Sequence, residues 1–182
     1  DEDIYVLDLR DILSQHKDKL LFMQADSHWT PIAAYYGYYL AANKIKKDFP
    51  KTQVYDIEKD FDVQIVPSGG DLLSGNFMNV PSGVVACSAT VSQKYEYMTA
   101  PADAPTAYVM GDSYYWAMSG FLRLMFSEVY LNNPESNPPL YDYTLADLST
   151  KKPDYLVYIW TERNIDSTLG YFISYITSAN MR

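Results

Sequence analysis

Along the chain, short apolar runs are separated by polar breaks, and two periods recur. Leu20-Leu21-Phe22-Met23, Ala107-Tyr108-Val109-Met110 and Tyr155 to Trp160 are continuous apolar stretches, the pattern of strands covered on both faces. Ile4 to Leu7 and Ser127 to Leu131 read as further strands. Helical patterns lie between them: Leu9 to Lys19, Pro31 to about Lys47, Tyr114 to about Phe126, and Leu145 to Leu148 as part of a shorter one. Thr30 stands where a hydroxyl caps the first amides of the second helix, and Pro31 suits its first position because the missing N–H has no partner there. Asp48-Phe49-Pro50 ends that helix, since the residue before proline resists the α region. Ala34, Gly37 and Ala41 recur on it at three- and four-residue spacing, predicting a close-packing face.

Strands alternating with helices predict an α/β fold, a mostly parallel sheet with helices on both faces. The 182 residues suit a single domain over 1–182. Within it, residues 51–105 read as an irregular insertion. Its short β-type pieces, Val63 to Val66 and Val84 to Ala86, are broken by Gly69-Gly70, Gly75, Pro81-Ser82-Gly83 and Pro101. Ligands of such sheets bind beyond the carboxyl ends of the strands. Asp26/His28, Asp112/Ser113 and Glu162/Arg163/Asn164 each follow a predicted strand.

Charge removes several function classes. Fourteen Lys and Arg against 23 Asp and Glu leave a net charge of -9, which repels phosphate polymers and anionic lipid surfaces. The basic cluster Lys44 to Lys47 reads as the solvated end of a helix. Cys87 is the only cysteine, so neither an intrachain disulfide nor a Cys-rich metal site is expected. The apolar runs are too short to span a bilayer. The chain begins at Asp1 with no Met, basic segment or apolar leader, as a mature or trimmed fragment would. The 18 Tyr suit either core packing or carbohydrate contact, because each ring carries both an apolar face and a hydroxyl.

Ser113 lies where a strand turns into a helix, a position that exposes its hydroxyl near backbone amides able to hold a developing oxyanion. A serine nucleophile needs a base. Of the two histidines, His16 sits in a polar helical stretch, which leaves His28. Asp26, two residues earlier, is spaced to orient the imidazole as the carboxylate of a triad does. Structural readings stand beside these: Gly-Asp-Ser is a common turn, Asp112 or Ser113 can cap a helix, and Asp-x-His can be a plain hydrogen bond. A metal site on Asp26 and His28 with Asp71 is a further alternative, although transition-metal sites usually gather more imidazole or thiolate. We therefore expect no metal and no cofactor.

Several blocks occur in order: Asp26-Ser27-His28-Trp29-Thr30-Pro31, Gly69-Gly70-Asp71-Leu72, Gly111-Asp112-Ser113-Tyr114, Phe126-Ser127-Glu128-Val129 and Thr161-Glu162-Arg163-Asn164. Together they resemble the DHHW family and the related AlgX- and AlgJ-type alginate O-acetylation proteins, over essentially the whole chain. The resemblance implies an SGNH-hydrolase-like (flavodoxin-like) fold with a circularly permuted motif order. It also implies a bacterial, extracytoplasmic enzyme, secreted or membrane-anchored, that transfers an acetyl group through serine to a polysaccharide. Carried onto this chain, Ser113 is the nucleophile, His28 the base and Asp26 its orienter. Ser27 departs from the family pattern, which has His there, and puts a substrate contact in doubt.

Oxyanion or substrate contacts are expected from the Ser113 amide and from Tyr114, Arg163 and Asn164. Glu162 and Arg163 read equally well as a structural ion pair, and Trp29 either stacks on a sugar or pins the His28 loop. Partners expected are a polysaccharide and a membrane-bound acyl donor, with no nucleic acid. The motifs do not separate an acetyltransferase from an acetylesterase. Two other readings remain: a non-catalytic glycan-binding or scaffold module, and a lipid or thioester hydrolase.

Overall fold

The computed structural model describes residues 5–74, 86–132 and 148–161. In chain order its elements are α1 (Arg10–Gln15), α2 (Pro31–Asp48), α3 (Ile57–Asp60), β1 (Phe61–Ser68), α4 (Asp71–Ser74), β2 (Ala86–Gln93), β3 (Thr106–Gly111), α5 (Tyr115–Leu122), β4 (Glu128–Asn132) and β5 (Tyr155–Ile159). The strands β4, β3 and β5 form a parallel sheet in that order. Parallel pairing needs a crossover, and α5 supplies the one between β3 and β4.

β3 is central, and its apolar run is explained by burial on both sides. Ala107 and Val109 face a core built from α2, α5 and the segment after α5. Tyr108 and Met110 face a smaller cluster with Tyr130, Tyr158 and Leu148, the last in a helical turn. The mixed α/β architecture with a parallel sheet thus agrees with the sequence pattern.

α2 is buried over most of its length, from Ile32 through Ile45. At Gly37 it comes so close to α5 that a Cβ would lie 3.3 Å from Met118 Sδ and 3.6 Å from the Trp29 ring. The expected small-residue face is therefore a packing face. Among the described residues five tyrosines, Tyr35, Tyr36, Tyr38, Tyr108 and Tyr115, are buried. The Tyr38 hydroxyl donates to Gln53 O (3.3 Å) and accepts from Tyr55 N (3.0 Å), while Tyr35 does the same for Tyr55 O and Ile57 N at 3.0 and 3.2 Å. Burial raises both phenols well above their ordinary value of 10.

Five expectations need correction. Residues 5–9 form no strand, and α1 stops at Gln15 with no buried side chain to extend it. Leu20 to Met23 is not a sheet strand either: only Phe22 pairs, in an isolated antiparallel bridge with Trp29, and its ring stays exposed. Thr30 does not cap α2; its hydroxyl turns back to donate to Leu20 O at 2.6 Å. α5 ends at Leu122 rather than near Phe126. Leu124, Met125 and Phe126 remain buried, but they lie in turns closed onto Phe121 and Leu122 carbonyls.

The stretch 51–105 is more regular than its composition suggests. β1 and β2 pair antiparallel over eight residues each, from Phe61 opposite Gln93 to Ser68 opposite Ala86. Of the described residues, no helix is long and apolar enough to cross a membrane. Val84, Val85 and Leu145 to Asp147 lie outside the described residues.

Candidate active site

Three groups separated in sequence meet beyond the C-terminal end of β3. Gly111 closes that strand where β5 leaves no room for a side chain: a Cβ would stand 2.5 Å from Ile159 O. Asp112 follows, fully buried, and satisfies the turn. Its Oδ1 accepts from Tyr114 N (3.0 Å) and its Oδ2 from Thr161 N and Oγ1 (2.8 and 2.7 Å). Asp112 is thus the hub of the turn and leaves the next residue, Ser113, to present its hydroxyl. The Ser113 amide donates to nothing among the described residues.

The facing loop runs between Phe22 and Trp29, closed by their bridge. It is bound along its length: Met23 N to His28 O at 3.0 Å, Gln24 N to Cys87 O of β2 at 3.0 Å, and Leu72 N of α4 to Ala25 O at 3.2 Å. Ala25 has φ 55°, a left-handed conformation that costs a non-glycine residue free energy and persists only when its surroundings enforce it.

From this loop His28 reaches both neighbours. Its Nε2 lies 2.8 Å from Ser113 Oγ and its Nδ1 2.7 Å from Asp26 Oδ1. The same Asp26 oxygen accepts from His28 N at 2.9 Å, and Oδ2 accepts from Asp71 N at 2.9 Å. A carboxylate so engaged fixes Nδ1 as the protonated nitrogen and leaves Nε2 to accept from the serine hydroxyl. Burial acts to raise the Asp26 pKa, but the Asp71 amide and the His28 ring and amide outweigh it and hold it below 3.8. The imidazole side chain is 31% exposed, so a small molecule can reach it.

Other expected site residues are placed differently. Trp29 is 5% exposed and its indole N–H donates to Tyr114 O at 2.8 Å. It pins the two loops together and offers no face to a sugar. Both Tyr114 donors are engaged, the amide with Asp112 and the hydroxyl with the Ser27 carbonyl. Its ring lies against His28 and Trp29, at 5.6 and 5.5 Å between centroids. Tyr114 braces the base loop where an oxyanion donor was expected. His16 is remote from this chemistry and stacks on Tyr36 at 4.2 Å. Glu162, Arg163 and Asn164 lie outside the described residues.

Asp71, expected as a metal ligand or as part of the Gly69-Gly70-Asp71-Leu72 block, is woven into this loop through Ser27 and Asp26. Asp26, His28 and Asp71 offer ligand atoms within 4.8 Å of one another. Hydrogen bonds within the loop already occupy the two carboxylates, and one imidazole with two carboxylates is a poor set for a transition metal. A cavity lined by Thr99, Arg123, Phe126 and Glu128 lies at the opposite, N-terminal end of β4 and holds none of these groups.

No family model matches the sequence, and no curated protein is significantly similar to it. Solved structures do match. Bacillus cereus PatB1 aligns with TM-score 0.59 and 13% identity over 86% of this chain and 68% of its own. The O-acetyltransferase domain of Pseudomonas putida AlgJ aligns with TM-score 0.54 and 21% identity over 87% of this chain. This chain covers only 59% of that domain's length. A DHHW family protein from Eubacterium siraeum aligns at 0.48 and 12% identity, over 84% of this chain and 63% of its own. The chain shares the fold of PatB1 and of the AlgJ domain, the latter one of the types that its motif blocks resemble.

Proposed function

We propose that the protein is an SGNH-type acyltransferase that moves an acetyl group through Ser113 onto a polysaccharide hydroxyl. One observation carries this reading: the unbroken series Ser113 Oγ, His28 Nε2, His28 Nδ1, Asp26 Oδ1, with links of 2.8 and 2.7 Å. A hydroxyl, an imidazole and a depressed carboxylate in that order form the arrangement that activates serine. The fold shared with an O-acetyltransferase domain supports the choice of acyl group. The order of Asp26 and His28 before Ser113 fits a circular permutation of the usual SGNH blocks.

The steps follow from the geometry. Ser113 Oγ attacks the acetyl carbonyl of the donor while its proton passes to His28 Nε2. Asp26 stabilises the imidazolium through Nδ1–H, and the Ser113 amide, free among the described residues, is the first donor to the oxyanion. Collapse expels the donor's leaving group, which takes the proton from Nε2, and Ser113 carries the acetyl ester. A sugar hydroxyl then loses its proton to Nε2 and attacks that ester. As the second tetrahedral intermediate collapses, His28 Nε2 returns the proton to Ser113 Oγ and the acetylated sugar is released. Water in place of the sugar gives ester hydrolysis by the same path. On this reading the reaction runs outside the cytoplasm, where a polysaccharide acceptor and a membrane-bound acyl donor meet.

The test uses p-nitrophenyl acetate as donor, with and without a soluble oligosaccharide, and mass spectrometry for acetylated sugar. The wild type releases p-nitrophenol, and Ser113→Ala slows this by about 10³-fold or more. Equal rates for the two proteins would overturn the assignment. Saccharide binding that survives Ser113→Ala, with no esterase activity in the wild type, would favour a non-catalytic glycan-binding module.

A further inference from the structure

We propose that Asp71 is a positioning residue of the site, clamping the base loop so that His28 stays in line between Asp26 and Ser113. The inference rests on the acyl-transfer reading above.

The loop needs such a clamp. Asp26 and His28 sit on neither helix nor paired strand, and the residue before Asp26 holds a positive φ. Left to itself, that segment has better conformations available. Asp71 binds it at three points. Its amide donates to Asp26 Oδ2 at 2.9 Å, its Oδ1 accepts from Ser27 N at 2.8 Å, and its carboxylate accepts from the Ser27 hydroxyl. The partners are 44 and 45 residues apart in sequence, so this is a tertiary brace rather than a local turn. Gly70 permits it, because a Cβ there would fall 2.0 Å from Ala25 O. Ser27, the letter that departs from the DHHW pattern, is the side chain Asp71 holds.

Asp71 also lies 3.7 Å from His28 Nδ1, too far for a hydrogen bond while Asp26 takes that proton at 2.7 Å. Its side chain is 42% exposed, so solvent screens its charge. Geometry therefore outweighs electrostatics in its contribution. Asparagine preserves the acceptor for Ser27 N and supplies an N–H for the Ser27 hydroxyl; alanine preserves neither.

The experiment has two readouts. With p-nitrophenyl acetate, Asp71→Ala lowers kcat roughly 10- to 100-fold, the scale of a displaced catalytic group, while KM changes little and Asp71→Asn recovers most of the rate. Independently of turnover, the downfield proton resonance of His28 Nδ1–H is sharp in the wild type and in Ser113→Ala. It broadens or vanishes in Asp71→Ala below its melting temperature and returns in Asp71→Asn. A wild-type kcat and an unchanged resonance in Asp71→Ala would overturn the proposal, even if the acyl-transfer reading survives. Full activity in Ser113→Ala would overturn that reading while the resonance still reports on the clamp. Should Asp71→Ala fail to fold, Ser27→Ala removes the side-chain link alone. A several-fold loss of kcat with a broadened resonance supports the clamp, and no change in either overturns it.

Discussion

At the scale of single residues, the site depends on a proton being in the right place. Asp26 makes its Oδ1 the acceptor for both His28 Nδ1 and His28 N. An amide at this position can turn its NH2 toward Nδ1, favouring the tautomer whose Nε2 carries the proton and cannot accept from Ser113. Asp26→Asn should therefore lower kcat on the order of 10⁴-fold with far less effect on KM, measured with p-nitrophenyl acetate at neutral pH. A loss confined to KM would contradict the role. The residues of this series were legible because the inventory was small: one imidazole followed an Asp at suitable spacing, and one serine followed a strand. Of the supporting residues only Trp29 was legible, as one of two readings, a pin of the His28 loop. Tyr114 and Asp71 act through backbone partners on another loop, and neither spacing nor residue type reveals such a contact before the loops are brought together.

Among elements, β3 was legible because a strand buried on both faces must be apolar throughout, and β5 has a similar apolar run although it is only half-buried, with Leu156 exposed. The run Leu20 to Met23 carries the same signature for another reason. Leu21 packs into the core while Phe22 lies exposed beside its single bridge, so the apolar run is an anchored loop. β1 and β2 were only partly legible, since most β1 side chains are exposed and polar residues interrupt its apolar ones. What the elements require most sharply is close approach at the strand ends. Gly111→Ala places a methyl 2.5 Å from Ile159 O and 3.0 Å from Tyr115 Cβ. Backbone on one side and a helix on the other leave it no easy escape. We expect a loss of roughly 1 to 3 kcal/mol, read as a lower midpoint in urea with an unchanged m-value, together with lower activity as the Ser113 turn shifts. A wild-type midpoint would show that β3 and β5 part more readily than this spacing implies.

For the whole molecule, acid is the informative stress. Asp8 is lowered to about 2 by its hydrogen bonds and ion pair with Arg10, and Asp103 is lowered by Lys51. Asp26 lies below 3.8 despite its burial. Each of these carboxyls binds a proton more weakly folded than unfolded. Between the unfolded value of about 4 and the folded values, the unfolded state holds more protons, and stability rises with pH. The contribution is present above about pH 4 and is lost as pH falls through the depressed values. Self-repulsion from the net charge of -9 eases on the way down to the pI near 4.5, so it does not destabilise the fold until that point is passed. Melting curves followed by circular dichroism should show a nearly level Tm from neutral pH to about 5, then a steep fall below about 4, shallower in Asp26→Asn. A Tm constant to pH 2 would refute this.

The packing of α2 on α5 has one further consequence. α2 begins three residues after His28, and α5 begins two residues after Ser113. Their contact at Gly37, where a methyl would meet Met118 Sδ at 3.3 Å and the Trp29 ring at 3.6 Å, works as a gauge block between the two halves of the chemistry. The separation of base and nucleophile is thus written partly in the core, a turn or more of helix away from either group. Sequence drift at Gly37 and Met118 would then be correlated, since a methyl gained at one must be matched by volume given up at the other to keep a hydrogen bond that neither residue touches.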